Sequence, residues 1–243
     1  MLPKLDTPIY TIDLPLTKKK LRYRSFLVKE EKLLLMAMES EDELAVVDTI
    51  KQVINNCCLD ELDIDELPLV DLEYFFLRLR AKSINEISEL QYKCNNKVTD
   101  ENGNEKTCGN LVTFEINLLD VEPEKNPEHS NKIELTNKMG IVMKYPNVKM
   151  ATEAKGNSEI EKAMDVILKC VEYVYDEDNI YYRKDISDKE MEEFVESMNK
   201  DQFEKLQNFF DTIPKMKKTL NFHCGKCGYK QDIVIEGIQS FFV

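Results

Sequence analysis

Two matched cysteine half-sites set the tightest limits on how this chain can fold. The first runs Leu90-Gln91-Tyr92-Lys93-Cys94, then Cys108-Gly109, then Val112-Thr113-Phe114-Glu115-Ile116. The second runs Leu220-Asn221-Phe222-His223-Cys224, then Cys227-Gly228, then Gln231-Asp232-Ile233-Val234-Ile235. In each, an aromatic residue stands two before the first cysteine, a glycine follows the second, and a β-rich run comes next. A tight turn of this kind brings two thiolates to one metal. Its glycine permits φ > 0 and lets backbone N–H groups approach sulfur. Together the two turns offer the sulfurs of Cys94, Cys108, Cys224 and Cys227, and a tetrahedral all-sulfur set suits zinc or iron. The expectation is one structural metal ion per chain, Zn2+, with iron left open by ligand type alone. Four thiolates leave no open coordination position, which a catalytic zinc needs. The spacing is unusual: 2 residues separate the cysteines of the second half, 13 those of the first, and 115 lie between the halves.

These thiols have other possible uses. A Cys-x-x-Cys pair can be a thiol oxidoreductase motif, but that motif opens a helix after a parallel strand. Cys224 and Cys227 lie instead between two apparent antiparallel strands. Four independently buried cysteines are the remaining alternative. His223 adjoins Cys224, and alternation along a strand turns its side chain away from the sulfur. His129 falls in a polar loop and is expected in solvent. Cys57 and Cys170 fall on helical apolar faces, where burial is the default, and Cys58 receives no assignment. An odd number of cysteines, 7, behind an N-terminus without an apolar signal argues against a disulfide framework and for a cytosolic protein.

The periodicities predict an α+β fold, with helical segments combined with antiparallel β-hairpins, two of which form a zinc-ribbon-like unit. Ile9–Leu16 and Leu21–Phe26 read as strands. Glu30–Met38 reads as a helix, and Ser40 with Glu43 forms a capping-box pattern opening another through Cys57, with Leu44, Val47, Ile50, Val53, Ile54 and Cys57 as its stripe. Leu59–Leu67 is an acidic linker, and Pro68 starts a helix over 69–81 with Leu69, Leu72, Phe75, Phe76 and Leu79 on one face. Strands flank a polar loop over 95–107. Glu122–Ser130 reads as an exposed loop, and Lys132–Met143 as a hairpin. Asn157 or Ser158 caps a helix running to Tyr173, with a stripe that begins at Ile160. Ser187 with Glu190 forms a second capping box. The helix it opens carries Met191, Phe194, Val195 and Met198. A further helix carries Phe203, Leu206, Phe209 and Phe210 and ends at Pro214. The apolar Gly237–Val243 tail is expected to pack. The organisation expected is an N-terminal strand and helical region, 1–84, and a zinc-ribbon-like region, 85–243, carrying a large helical insertion, 109–223.

Charge and missing motifs narrow the function. The formal charge is −13, which repels phosphate backbones and makes nucleic acid a poor partner. No run of residues is apolar and long enough to span a membrane. With only 7 glycines there is no Gly-rich phosphate loop, and Gly-x-Ser-x-Gly is absent. The expectation is a non-enzyme.

The order of motifs along the chain resembles the T4-type bacteriophage baseplate hub assembly family. The resemblance rests on Leu14-Pro15, on Lys29-Glu30-Glu31-Lys32-Leu33-Leu34-Leu35-Met36-Ala37, and on Tyr92-Lys93-Cys94 with Cys108-Gly109. It continues through Gly140-Ile141-Val142-Met143-Lys144-Tyr145-Pro146 and Phe222-His223-Cys224-Gly225-Lys226-Cys227-Gly228 to Gly237-Ile238-Gln239-Ser240-Phe241-Phe242. The resemblance implies a non-enzymatic protein that docks on other phage baseplate hub proteins, in the host cytoplasm during assembly and in the virion tail baseplate. Two further readings stay open: a zinc-ribbon regulator binding nucleic acid or polymerase, for which Lys93, Lys97, Lys106, Lys226 and Lys230 offer a small basic face, and a thiol oxidoreductase.

Overall fold

A computed structural model of the chain describes residues 6–39, 43–99, 103–237 and 240. It is α+β, as the periodicities predict, with 7 α-helices and antiparallel sheets among the described residues. The chain divides into two compact units, one of residues 1–62, 73–124 and 215–243, the other of residues 63–72 and 125–214. The first unit therefore holds both cysteine half-sites, while most of the expected insertion forms the second. Ser40, and most of the Gly237–Val243 tail, lie outside the described residues.

The first unit opens with a hairpin of β1 (Ile9–Asp13) and β2 (Lys20–Arg24), in which Ile12 faces Leu21 and Tyr10 faces Tyr23. Strict alternation sends Ile12, Leu21 and Tyr23 inward and Lys20 and Arg22 outward. Helices α1 (Val28–Glu39) and α2 (Glu43–Cys57) follow. Ile50, Val53, Ile54 and Cys57 are buried, as their helical spacing requires. Burial pushes the Cys57 thiol up to about 11, which leaves it an inert apolar side chain. Cys58 bridges to Tyr23 through the backbone, and its thiol donates to the carbonyl of Asp60 at 3.4 Å.

The start of α1 shows how local chemistry fixes this region. Glu30 is fully buried, where desolvation would raise its pKa. It stays below the usual carboxylate range because Arg24 Nη2 donates to it at 3.0 Å and the N–H of Leu27 at 2.8 Å. The second contact is the back-reaching half of a capping box, made without a hydroxyl at the cap. The N-terminal basic residues are thus partly committed, since Arg22 likewise pairs with Asp60 at 2.6 Å.

Helix α3 (Leu69–Ser83) opens directly after Pro68, close to the expected start. Its burial is wider than one stripe: Phe75, Phe76, Leu77 and Leu79 are all inaccessible, and Leu69 is not among the buried residues. An apolar helix enclosed on several sides needs no sharp polar face. Asp71 and Arg78 are buried charged residues on it; the Arg78 guanidinium donates to the carbonyls of Leu118 and, at 3.0 Å, Val121, and pairs with Glu122 at 2.5 Å. Strands β3 (Ile87–Lys93) and β6 (Leu111–Asn117) form one hairpin. The intervening 95–107 stretch is not simply a loop, because β4 (Lys97–Thr99) and β5 (Glu105–Thr107) pair within it. Polar composition hid this hairpin extension. Strand β7 (Pro123–Glu124), inside the expected exposed loop, joins the edge of β12 (Lys215–His223), which pairs on its other side with β13 (Lys230–Glu236).

The second unit is a four-stranded sheet backed by helices. The strands are β8 (Lys132–Glu134), β9 (Gly140–Met143), β10 (Val171–Tyr175) and β11 (Ile180–Tyr182), in the order β11-β10-β9-β8. A short helix α4 (Val148–Thr152), capped by Asn147, precedes α5 (Glu159–Cys170). Ser158 caps α5, but the helix stops at Cys170 rather than Tyr173, and Ile160 at the head of the expected stripe is exposed. Val171, Tyr173, Val174 and Tyr175 are strand formers, and pairing with β9 overrides the helical period at that point. Both caps around α6 (Asp188–Glu196) and α7 (Lys200–Thr212) are full capping boxes, Ser187 with Glu190 and Asn199 with Gln202. Ile141, Met143, Cys170, Val171 and Leu206 lie at the centre of the core. Gly140 has a packing reason to be glycine: a Cβ there would sit 2.5 Å from the carbonyl oxygen of Ile133 and 2.3 Å from the Tyr175 hydroxyl. Gly140→Ala is expected to destabilise by about 2 kcal/mol, the scale of an overpacked core, as an equilibrium urea midpoint will show.

His129 is not in solvent as its polar loop suggested. It stacks on Tyr145 at 5.6 Å and packs against Phe209 at 5.1 Å, and its Nδ1 lies 2.9 Å from Thr212 Oγ1. The Thr212 hydroxyl already donates to the carbonyl of Asn208 at 2.6 Å, so Nδ1 carries the proton and donates. Nε2 is buried with no partner among the described residues. Burial depresses the His129 pKa. The folded chain then binds this proton less readily than the unfolded one, so stability is full above the unfolded value of about 6.5 and falls as the pH drops below it. His129→Phe is expected to flatten that acid limb in a plot of denaturation midpoint against pH.

Candidate metal centre

The half-sites share more than sequence. Past the Lys93–Leu111 pair, β3 and β6 continue irregularly, with the N–H of Cys94 donating to Asn110 O at 2.8 Å and that of Cys108 to Asn96 O at 2.8 Å. Past the His223–Lys230 pair, the N–H of Cys224 donates to Tyr229 O at 2.9 Å. In each half the glycine after the second cysteine then closes the turn on the first. Gly109 N–H donates to Cys94 O at 3.0 Å and Gly228 N–H to Cys224 O at 2.9 Å. Both glycines are left-handed, with φ of 67° and 74°. No other residue adopts that conformation as cheaply.

Aromatic packing joins the halves. Tyr92 and Phe222, each two before a cysteine, lie on the same strand face as the sulfurs. Phe114 bridges them, with its ring 6.0 Å from Tyr92 and 6.2 Å from Phe222. Phe222, Cys94, Cys108 and Cys224 form one buried cluster, with Cys227 partly buried against it. His223 is exposed on the opposite face, as alternation predicts.

The four sulfurs converge. All lie within 4.8 Å of one another, so the group could hold a metal ion. The short contacts cross between halves, Cys94 to Cys227 at 3.7 Å and Cys108 to Cys224 at 3.7 Å. A tetrahedron with Zn–S bonds of about 2.3 Å has an edge of about 3.8 Å, whereas a disulfide needs about 2.05 Å. The spacing therefore matches a metal tetrahedron and not two bonded pairs. Around the cluster, Asn96 Nδ2 lies 3.6 Å from Cys227 Sγ and Lys226 Nζ lies 3.5 Å from the carbonyl of Cys108. Such partners orient ligands and soften their charge.

Cys94, Cys108 and Cys224 shift one another's titration. Desolvation works to raise Cys224, but backbone N–H groups of Cys227 and Lys226, with the thiols of Cys227 and Cys108, bring it down to about 6. Cys94 is pushed up to about 12, first by desolvation and then by the neighbouring thiols, against the N–H of Asn96. Cys108 also rises: the N–H of Asn110 favours its thiolate, but desolvation and the thiols of Cys227 and Cys224 outweigh it. One negative charge shared among close sulfurs resists a second, and a divalent cation would remove that resistance. By contrast Cys170 is pushed up to about 12 by burial, with its thiol 3.8 Å from Met150 Sδ, and it has no such company.

A Cβ at Gly109 or Gly228 meets no clash, the nearest atom being 3.5 Å away. Alanine there pays only for its left-handed backbone. Gly109→Ala and Gly228→Ala are each expected to cost about 1 kcal/mol, read from the thermal midpoint.

No helix among the described residues is long and apolar enough to cross a membrane. Comparison with curated proteins and with solved structures gives no match. The strand-to-helix order, both half-sites and the C-terminal hairpin are nevertheless covered as one run by a family model described as T4 bacteriophage base plate protein, which matches residues 7–243. The chain belongs to that family of phage baseplate structural proteins.

Proposed function

We propose that the protein takes part in assembling the central hub of the baseplate, as a non-enzymatic docking component whose first unit is held together by one structural zinc. Cys94, Cys108, Cys224 and Cys227 are the ligands. The observation that carries the metal is the pair of 3.7 Å sulfur contacts between half-sites 115 residues apart, a distance that free thiols have no reason to adopt twice. Zinc supplies cross-linking and charge neutralisation here, and a full set of thiolates leaves it no position for substrate. The cross-link lets hairpins from distant parts of the chain present one rigid surface to other hub proteins. Baseplate family membership supports the setting.

The alternatives differ in what they need. A regulator would use the lysines around the knuckles, yet Lys97 is paired with Glu105 at 3.5 Å and Lys226 reaches inward to Cys108. A thiol oxidoreductase would exploit Cys224 or Cys227; Cys224 is fully buried, out of reach of a disulfide substrate, and Cys227, partly exposed, has its sulfur 3.7 Å from that of Cys94 within the cluster.

The test is genetic and structural. In the phage that encodes it, a nonsense mutation in this gene is expected to leave tails without completed hubs in electron micrographs. Cys224→Ser is expected to mimic it, and native mass spectrometry of the wild-type chain should show one zinc. Normal baseplates made without the protein would refute the role in assembly.

A further inference from the structure

The second unit carries an apolar groove with an acidic rim. The groove has a volume of about 460 Å³ and lies where β10, β11 and α6 meet the β8–β9 turn. Its floor is made of the buried Val174 and Met191 and the half-buried Met139, Ile186 and Phe194. Asp176, Asp185 and Glu190 stand at its edge. The adjoining β11 is an edge strand, and all its side chains are unusually open for their type: Ile180 is 54 %, Tyr181 45 % and Tyr182 47 % exposed. Apolar and aromatic exposure on this scale beside a concave floor is the composition of a binding surface.

The charge distribution says what covers it. From Glu172 to Glu196 there are ten acidic and three basic residues, a net −7 out of the chain's −13. Two of the rim acids are fixed in place. Asp176 accepts the backbone N–H groups of Asp178 and Asn179, at 2.9 and 2.8 Å, and the Tyr181 hydroxyl at 3.0 Å. Glu190 is held by Ser187 in the α6 capping box. Hydrogen bonding keeps both below the usual carboxylate range, so both are ionised at neutral pH. Asp185 is exposed, and no hydrogen bond or ion pair to its side chain is present among the described residues. A second acidic copy would be repelled from this rim, and a purely apolar ligand would leave its charges unused.

We propose that this groove docks a cationic–apolar segment of another protein, with a bulky apolar side chain on the Met139–Met191–Phe194 floor and an adjacent Arg or Lys reaching Asp185. The inference deepens the docking role proposed above and rests on it only for there being a protein partner. A long aliphatic stem suits the methionine floor while its charged head stays at the wet rim.

The probe is an array of overlapping short peptides spanning the other tail proteins of the same phage, read by fluorescence polarisation against the intact chain. Peptides bearing Arg or Lys beside a bulky apolar residue are expected to bind. Asp185→Lys and Met139→Ser should each weaken them roughly tenfold, the effect of reversing one close charge or emptying part of the floor. Glu196→Lys, the same charge change on α6 outside the groove, should leave affinity within about twofold. Binding of no peptide, binding of acidic peptides, or equal binding by Asp185→Lys overturns the proposal. So does a concentration-dependent dimer abolished by Met139→Ser, which makes a second copy the occupant. A chain that still joins hub intermediates while its groove binds nothing overturns the groove alone. Baseplates completed without the chain overturn the assembly role whatever the groove does.

Discussion

Cys108→Ser is expected to lose the proposed zinc and lower the thermal midpoint by at least about 10 °C. The size follows from what the metal replaces. Structural zinc in small modules contributes apparent folding free energies of about 10–16 kcal/mol, and even a minority of that, about 5 kcal/mol, is large for one residue. A domain of this size loses about 2–4 °C per kcal/mol. Cys108 is buried, with its sulfur 3.7 Å from Cys224, so a serine there offers the cation a poor ligand in a place water cannot repair. Chelation of the wild-type chain should reproduce the shift, and metal added back should reverse it. Cys58→Ser is the control, since its thiol serves as a donor to Asp60 O and a hydroxyl does that equally well; it should stay within about 0.5 kcal/mol. An unchanged midpoint on chelation, with four free thiols in the folded chain, would exclude the metal and bring the buried-cysteine alternative forward.

Arg78→Met is the second large effect, expected to cost about 3 kcal/mol. The methionine fills the volume but leaves the carbonyls of Leu118 and Val121, both in buried residues, without their donor. Each orphaned buried carbonyl costs about 1–3 kcal/mol. The pair with Glu122 adds little, because Glu122 is 62 % exposed and solvent screens it. Arg78→Lys should recover only part of the loss, since an ammonium cannot fork to two carbonyls in the plane of a guanidinium. Stacking over Tyr74, 4.4 Å from the ring centroid, would also weaken. Denaturation midpoints for the two variants, compared with Glu122→Gln, separate these contributions. A loss in Glu122→Gln as large as in Arg78→Met would show that the ion pair, not the carbonyls, carries the stability.

Several features were legible in the sequence because they are local. Each knuckle declares itself in a few residues: cysteine, a φ > 0 glycine after the second cysteine, an aromatic two before the first. The capping box at Ser187 and Glu190 spans four positions and formed as read. Strand alternation turned His223 away from the sulfurs, and it is exposed. Where local signals competed with pairing, they failed. The helical period through Val171 and Tyr173 yielded to β9, and the polar residues around Lys97 and Glu105 concealed a hairpin.

Residue order alone establishes that two metal-type turns exist, that the chain is acidic, and that no phosphate-binding or nucleophile-elbow motif accompanies them. Only the folded chain shows that the turns meet, and that each sulfur finds its near neighbour in the other half. It alone puts His129 between Tyr145 and Phe209, and gathers Asp176 of the β10–β11 turn, Asp185 after β11 and Glu190 of α6 around one apolar floor. The difference is one of range. Turn geometry, capping and periodicity act over a few residues and leave their mark in order. A contact across 115 residues is selected by the summed packing of everything between, and no short stretch of sequence records it.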